Sequence, residues 1–249
     1  MKPGFTDIHT HILPTVDDGA QSVEVALELL RLQKQHGIER VVLTPHFYPQ
    51  IETLSDFVDR RNQAYTALLT QWEEGIMPQL LLGAEVHYSS ALVDIELEQL
   101  TIGMGNYLLL ELPDDEIPAC LEQVVARILL KKITPIFAHV ERCAFLRNDP
   151  DQLFKLIQMG ALAQIDVSAL AQKKMDNFAA ICLSNGLAQL IASDIHNLSN
   201  RALRLTDIAT ELCTDVLNRA EEFARAVWDG TSLPAFCINH VKKGLFRYH

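Results

Sequence analysis

Two spacings of apolar residues alternate along this chain. Short apolar runs at residues 4–8, 39–43, 80–82, 107–111, 134–138, 162–167 and 188–192 predict buried strands. Between them apolar residues recur every three or four positions, as Val23, Ala26, Leu27 and Leu30 do, which marks the buried face of an amphipathic helix. Helices are predicted from Ser22 to a stop at Gly37, and over 56–72, 118–130, 151–159, 173–184, 201–212 and 215–228, with a short helical stretch at 91–97. Strand and helix alternate with no Pro/Gly/Ser-rich linker and no internal repeat. The fold class is therefore α/β, with parallel βαβ units and about seven strands. One domain is expected over residues 1–249, with 231–249 as an unassigned tail.

The residues that follow the strands narrow the architecture. His9 and His11 stand two apart at the end of the first strand, so both imidazoles face one side. Asp17, Asp18 and Gly19 come next, and later strands run into His46, Glu85, Glu111, His139, and the pair Asp194 and His196. A barrel gathers functional groups from the C-terminal ends of many strands, so a closed barrel is favoured over an open doubly wound sheet. Imidazoles and carboxylates in this number exceed one catalytic ion, which takes three protein ligands and keeps a position open. They suffice for two or three divalent ions with a bridging carboxylate, the arrangement that clamps a phosphate ester between ions ~3.5–4 Å apart. No cysteine joins the set, so Mn, Fe or Zn all remain open. Phosphate also calls for fixed positive charge, and a guanidinium donates in a planar fork that fits it. Arg142, three residues past His139, is the stronger candidate, and Arg201, five past His196, the weaker.

Composition removes several classes. A net charge of −11 argues against sequence-independent nucleic-acid binding, which needs a basic footprint. No apolar run approaches membrane-spanning length, and the N-terminus resembles neither a secretory signal nor a transit peptide, so a cytoplasmic enzyme without membrane insertion is expected. The five cysteines, at 120, 143, 182, 213 and 237, lack CxxC spacing, which predicts reduced thiols rather than disulfides or a structural zinc site. Cys213 and Arg219 share the Cys-x5-Arg spacing of cysteine phosphatases, but the residues between them carry no glycine and fall in or between predicted helices. A phosphate-cradling loop is not expected there.

These motifs resemble the polymerase-and-histidinol-phosphatase (PHP) superfamily. The shared elements are Asp-Ile-His-Thr-His at 7–11 with the later Asp-Asp-Gly, Thr-Pro-His at 44–46, Gly-Ala-Glu at 83–85, the strand-ending Glu111, Ala-His-Val-Glu-Arg at 138–142 and Ser-Asp-Ile-His at 193–196. Within it, the chain is similar to the capsule-biosynthesis branch, the metal-dependent bacterial protein-tyrosine phosphatases of the CpsB/CapC type. The resemblance implies a distorted (βα)7 barrel with a trinuclear, usually manganese, centre at the C-terminal strand ends. It implies that His9, His11, Glu85 and Asp194 hold one ion, that Glu85, Glu111 and His139 hold a second, and that Asp18, His46 and His196 hold the third. Arg142 and Arg201 match the phosphate-binding arginines. Val140 departs from the pattern, where proline is usual, and so removes a rigid turn beside Arg142.

The expected reaction is hydrolysis of a phosphate monoester by metal-activated water, with no covalent phosphoenzyme. His46 and His196 are candidates to protonate the leaving group as well as to hold metal. By resemblance the substrate is a phosphotyrosine-bearing tail of a bacterial tyrosine kinase of polysaccharide biosynthesis; the oligomeric state stays open. The competing readings are a small-metabolite phosphatase of the histidinol-phosphate kind, a nuclease-like phosphoesterase, and a non-enzymatic metal-binding scaffold. Asp7 and Asp17 are expected as supporting or turn residues, His87 as a polar rim, and Phe47 and Tyr48 as packing that could otherwise form a wall for a phenyl ring. No function falls on His36, His240 or His249.

Overall fold

The structure is a computed structural model that describes residues 4–170, 177–198 and 214–241. Its strands are β1 (Phe5–Thr10), β2 (Ile38–Leu43), β3 (His46–Phe47), β4 (Gln79–Leu82), β5 (Glu85–His87), β6 (Tyr107–Glu111), β7 (Thr134–Phe137), β8 (Leu162–Asp166) and β9 (Leu190–Ala192). The helices are α1 (Val23–Gln35), α2 (Leu54–Leu69), α3 (Leu121–Leu130), α4 (Ala144–Asn148), α5 (Pro150–Gln158), α6 (Val167–Leu170), α7 (Phe178–Ser184) and α8 (Thr214–Asp229). The predicted helix at 201–212 lies outside the described residues, as does most of the first turn predicted at 173–184. The described part of that helix starts at Phe178, where the Asn177 side chain accepts from the Ala179 and Ala180 N–H groups.

All strand pairings among the described residues are parallel. β1, β2 and β4 form one sheet, and β3, β5, β6, β7, β8 and β9 form another. The sequence pattern does not resolve β3 and β5 as separate strands, and local chemistry explains the breaks. Pro45 has no N–H to give a ladder between β2 and β3. Between β4 and β5, Gly83 passes so close to the preceding strand that an added Cβ would lie 3.3 Å from the Thr44 and Val42 side chains. Its carbonyl is held by the buried Arg61 guanidinium at 2.9 Å. At the opposite seam the chain beyond β9 meets β1 through the Thr10–Ile195 bridge, with Asp194 N–H donating to His9 O (3.0 Å) and His11 N–H to Ile195 O (2.9 Å). The architecture is mixed α/β with parallel sheets. One continuous closed barrel ladder is not formed among the described residues.

Side-chain alternation sorts the interior. Ile8, Val42, Leu109, Ile136, Leu162 and Leu190, each from a different strand, pack together with Phe223 of α8. The opposite strand faces pack against the helices in a second, larger cluster. α1 is set by Ser22, whose hydroxyl accepts from Val25 N–H, and ends at Gly37 with φ +79°. The segment 231–241 has no regular element but is fastened along its length. Thr231 O accepts from the Tyr107 hydroxyl (2.9 Å), Asn239 N–H donates to Asn185 O (2.9 Å), and the His240 ring stacks on Phe154. No helix among the described residues is long and apolar enough to cross a membrane.

α8 is tied to β1 by a buried carboxylate. Glu221 accepts from the Thr6 N–H at 2.7 Å and from the Thr6 hydroxyl at 3.0 Å, and burial pushes its carboxyl above the ordinary range. Removing it leaves two donors without an acceptor in the interior. Glu221→Ala is expected to cost about 1–3 kcal/mol in urea unfolding, whereas an unchanged midpoint would mean that the staple contributes nothing.

Candidate metal centre

At the C-terminal ends of the strands, nine candidate residues predicted from the sequence come together in one pit. His9 and His11 at the end of β1 project their Nε2 atoms to within 3.1 Å of each other, and each lies 3.1 Å from Glu85 Oε2 at the start of β5. Asp194 Oδ1 stands 3.4 Å from both. His139 Nε2 is 2.9 Å from the other Glu85 oxygen and 3.7 Å from Glu111. His46 Nδ1 is 3.0 Å from Glu85 Oε2 and 3.9 Å from Glu111. Asp18 sits at the rim, 3.7 Å from His46 Nε2 and 3.4 Å from His196 Nε2. Three groups have ligand atoms close enough to share one ion: His9, His11 and Glu85; His46, Glu85 and Glu111; and His11, Asp18, His46 and His196. Of the two arginines, Arg142 stands beside Asp194, while Arg201 lies outside the described residues.

Hydrogen bonds on the far side of the rings fix which nitrogen faces the pit. His9 Nδ1 reaches Gln164 Oε1 at 3.1 Å, an oxygen that also accepts from the His139 N–H. His11 Nδ1 donates to Asp17 Oδ2 at 2.7 Å, and His196 Nδ1 to the Asp194 carbonyl at 2.8 Å. Each of these rings, when neutral, must therefore present an Nε2 lone pair inward. Lone pairs of His9 and His11 then converge on a carboxylate oxygen that is fully buried and has no hydrogen-bond donor. His46 Nδ1 and His139 Nδ1 are likewise buried without a hydrogen-bond partner. A cation is the natural complement of such a cluster, and the donor set of imidazoles and carboxylates fits a divalent metal.

In the metal-free protein, protons supply that positive charge. Burial by itself disfavours an imidazolium at His9, but Glu85 and Asp194 outweigh it and push the group up to about 9. His11 is raised likewise against burial, by Asp17, Asp194 and Glu85. Burial dominates at His46 and holds its imidazolium below the usual 6.5. Glu85 stays well below the carboxylate range despite its burial, because His9, His11 and His139 surround it.

The backbone around the pit is strained where it carries candidates: His139 has φ +29° and Asp194 φ +51°. Gly19 answers a steric demand, since an added Cβ there would overlap the His11 carbonyl oxygen at 1.9 Å. The two expected supporting aspartates prove to be cross-braces. Asp7 accepts from Ser193 N–H (3.1 Å) and Gln33 Nε2 (2.8 Å), joining β1 to α1 and to the segment after β9. Asp17 accepts from His11, from His46 N–H (3.0 Å) and from Gly19 N–H (3.0 Å), joining β1 to β3.

The departure at Val140 has a structural counterpart: its N–H donates to Gln164 O at 3.2 Å, a bond that proline could not make. His87 pairs with Glu111 Oε2 at 3.1 Å on the rim. Phe47 is buried against Phe57 and serves packing, whereas the half-buried Tyr48 stands beside His46 with ring centroids 5.3 Å apart. Gln164, Glu141 and Asp166 are the site residues that sequence reasoning missed. The signal available was the two-residue spacing of Gln164 and Asp166 in an otherwise apolar strand. The cysteine alternative loses ground: Arg219 lies on α8 with its guanidinium on Ala235 O, and Cys213 is outside the described residues. Cys120, Cys143, Cys182 and Cys237 are free thiols, and burial pushes Cys143 up to about 12.

Asp17 offers a direct test of the tautomer argument. Burial would raise its carboxyl, yet His11 and two backbone N–H groups bring it down to about 2. A depressed carboxyl stabilises the fold above its unfolded value near 4 and loses that contribution as pH falls through about 2. Asp17→Asn is expected to remove the stability lost by the parent protein over that acid window. It should also lower the His11 imidazolium pKa of the metal-free protein, read from its ring-proton NMR titration. A His11 titration identical in the two proteins would refute the assigned tautomer.

Comparison with known proteins agrees with this geometry. The family model for capsular polysaccharide synthesis, CpsB/CapC, matches residues 5–222. The tyrosine-protein phosphatase YwqE of Bacillus subtilis (strain 168) is 31% identical over 205 residues, 78% of each chain. The putative tyrosine-protein phosphatase CapC of Staphylococcus aureus is 32% identical over 210 residues, 82% of each chain. A chain from the crystal structures of YwqE from Bacillus subtilis and CpsB from Streptococcus pneumoniae, described as unique metal-dependent tyrosine phosphatases, superposes with a TM-score of 0.83 at 25% identity. That match covers 96% of this chain and 100% of the other. Sequence, fold and the convergent strand ends agree that the chain belongs to the CpsB/CapC family of capsular polysaccharide synthesis.

Proposed function

We propose that this chain is a metal-dependent phosphomonoesterase that removes phosphate from tyrosine in the tail of a bacterial tyrosine kinase of polysaccharide synthesis. The observation that carries it is the pair of imidazole lone pairs on His9 and His11 aimed at the donorless, buried Glu85 oxygen, with Arg142 at the edge of the pit. Its relatives named as tyrosine-protein phosphatases supply the substrate class.

The centre takes two or three divalent ions, manganese first, held by His9, His11, Glu85 and Asp194; by Glu85, Glu111 and His139; and by Asp18, His46 and His196. Such ions, when bound, bring the pKa of water toward neutrality and take up charge from phosphoryl oxygens. The protein's part is to hold the imidazoles in their inward tautomers and to keep Glu85 ionised between them. Arg142 offsets the charge of the phosphoryl group and orients it; Arg201 is assigned the same role. Because burial keeps His46 neutral, it is better suited to a ligand than to an acid. A phenolate with an unperturbed pKa of about 10 leaves with little proton assistance, which favours an aryl phosphate over an alkyl one.

The same reading treats the chain as one domain whose strands form a distorted (βα)7 barrel. β2 with β3, and β4 with β5, then count as two broken strands, and the isolated Thr10–Ile195 bridge lies where the two sheets meet. The same reading places the chain in the cytoplasm, where cysteines stay reduced.

Chelation followed by dialysis is expected to abolish turnover of a phosphotyrosine peptide, and added Mn to restore it; activity that survives thorough metal removal would sink the proposal. His9→Ala should lose bound metal and at least ~10³-fold in kcat/KM. Metal uptake should release protons below about pH 9, because imidazolium at His9 must be displaced, as calorimetry in buffers of different ionisation enthalpy would show. Faster turnover of histidinol phosphate or of a single-stranded oligonucleotide than of the peptide would move the substrate class accordingly.

A further inference from the structure

One strand end remains outside this account. Every other strand reaching the pit delivers a candidate ligand, whereas β8 ends in Gln164 and Asp166, both buried and neither placed among the ligands. Opposite them lies the tight turn 139–142, closed by Arg142 N–H donating to His139 O at 2.9 Å. Each residue of that turn is fastened to β8. Gln164 Oε1 accepts from His139 N–H (3.0 Å), and Gln164 O accepts from Val140 N–H (3.2 Å). Asp166 N–H donates to Glu141 Oε1 (3.1 Å), and Asp166 Oδ2 accepts from the Arg142 guanidinium. The Asp166 carboxylate is itself braced, since its Oδ1 accepts from Ser168 N–H at 2.7 Å.

Resting on the phosphatase reading above, we infer that Asp166 is a positioning residue: it pins the Arg142 guanidinium from β8 so that the fork is held ready for a phosphoryl group. The turn it stabilises is one that the chain would not hold unaided, because His139 sits at φ +29° without being glycine. Arginine otherwise has many side-chain rotamers to lose on meeting an anion. Two carboxylates share the Arg142 Nη2 group, Asp166 and Asp194. Asp194 also faces His9 and His11, so Asp166 is the partner whose charge serves the arginine. The same clasp takes over the rigidity that proline would give at position 140.

The test is a double-mutant cycle on the metal-loaded protein, with Asp166→Ala, Asp166→Asn, Arg142→Ala and the pairs of position-142 and position-166 changes. Readouts are KM and kcat for an aryl phosphate, the Kd of inorganic phosphate by calorimetry, bound metal and melting temperature. Asp166→Ala is expected to raise KM and the phosphate Kd about tenfold, with a smaller change in kcat and unchanged metal content. Asp166→Asn keeps the shape and an acceptor oxygen, so it folds and should fall between the parent and Asp166→Ala. In the Arg142→Ala background neither change at 166 should add more than about twofold. Additive effects would overturn the inference, as would a KM rise that follows loss of metal, or an unchanged phosphate Kd in Asp166→Ala. The phosphate Kd needs no turnover. A protein that binds phosphate through this cycle yet hydrolyses nothing would refute the proposed function while upholding the clasp.

Discussion

Burial of the Glu85 carboxylate among imidazoles is the constraint on which the site depends. An isolated charge in the interior costs several kcal/mol unless opposite charge or donors compensate it. Here compensation comes from His9, His11 and His139, with the neutral His46 beside them, and a nitrogen of each of the four lies 2.9–3.1 Å from one or other carboxylate oxygen. Those residues belong to β1, β3 and the turn after β7. A carboxylate at the start of β5 can meet all of them only if the strands run parallel and end at one level. The parallel pairing of β3, β5, β6 and β7 supplies that common level.

Around this core the protein spends local stability on geometry. His139 and Asp194 hold positive φ values that β-carbons disfavour, and Gly19 is squeezed against the His11 carbonyl. Strain of this kind persists only where surrounding contacts over-determine it. Asp7, Asp17 and Gln164 provide them, each bonded to elements distant in sequence. The result is a set of rings whose tautomers and directions are decided before any cation arrives.

Acidity and function are compatible for the same reason. The chain carries −11 overall and concentrates carboxylates at the site, which repels nucleic acid but suits cations. The Arg142 guanidinium beside the pit is already held by two carboxylates, so its affinity for anions depends on how those carboxylates place it.

The alternation of short apolar runs with helical periodicity sufficed to place most strands of the α/β fold, and β6 was read at its observed limits. The two-residue spacing of His9 with His11 already placed both rings on one face. What local spacing could not reveal were partners far apart in the chain: Gln164 behind His9, Asp166 on Arg142, Glu221 on Thr6. Nor could it show that β2 and β4 break at Pro45 and Gly83, since one break depends on a close approach between neighbouring strands. Sequence by itself determined which atoms were available to the site and in what order they come. Asp17 and the Asp194 carbonyl, six and two residues away, orient His11 and His196 locally, whereas tertiary structure alone decided that His9 presents Nε2 inward, because that choice rests on Gln164 of β8, a strand it meets only after folding.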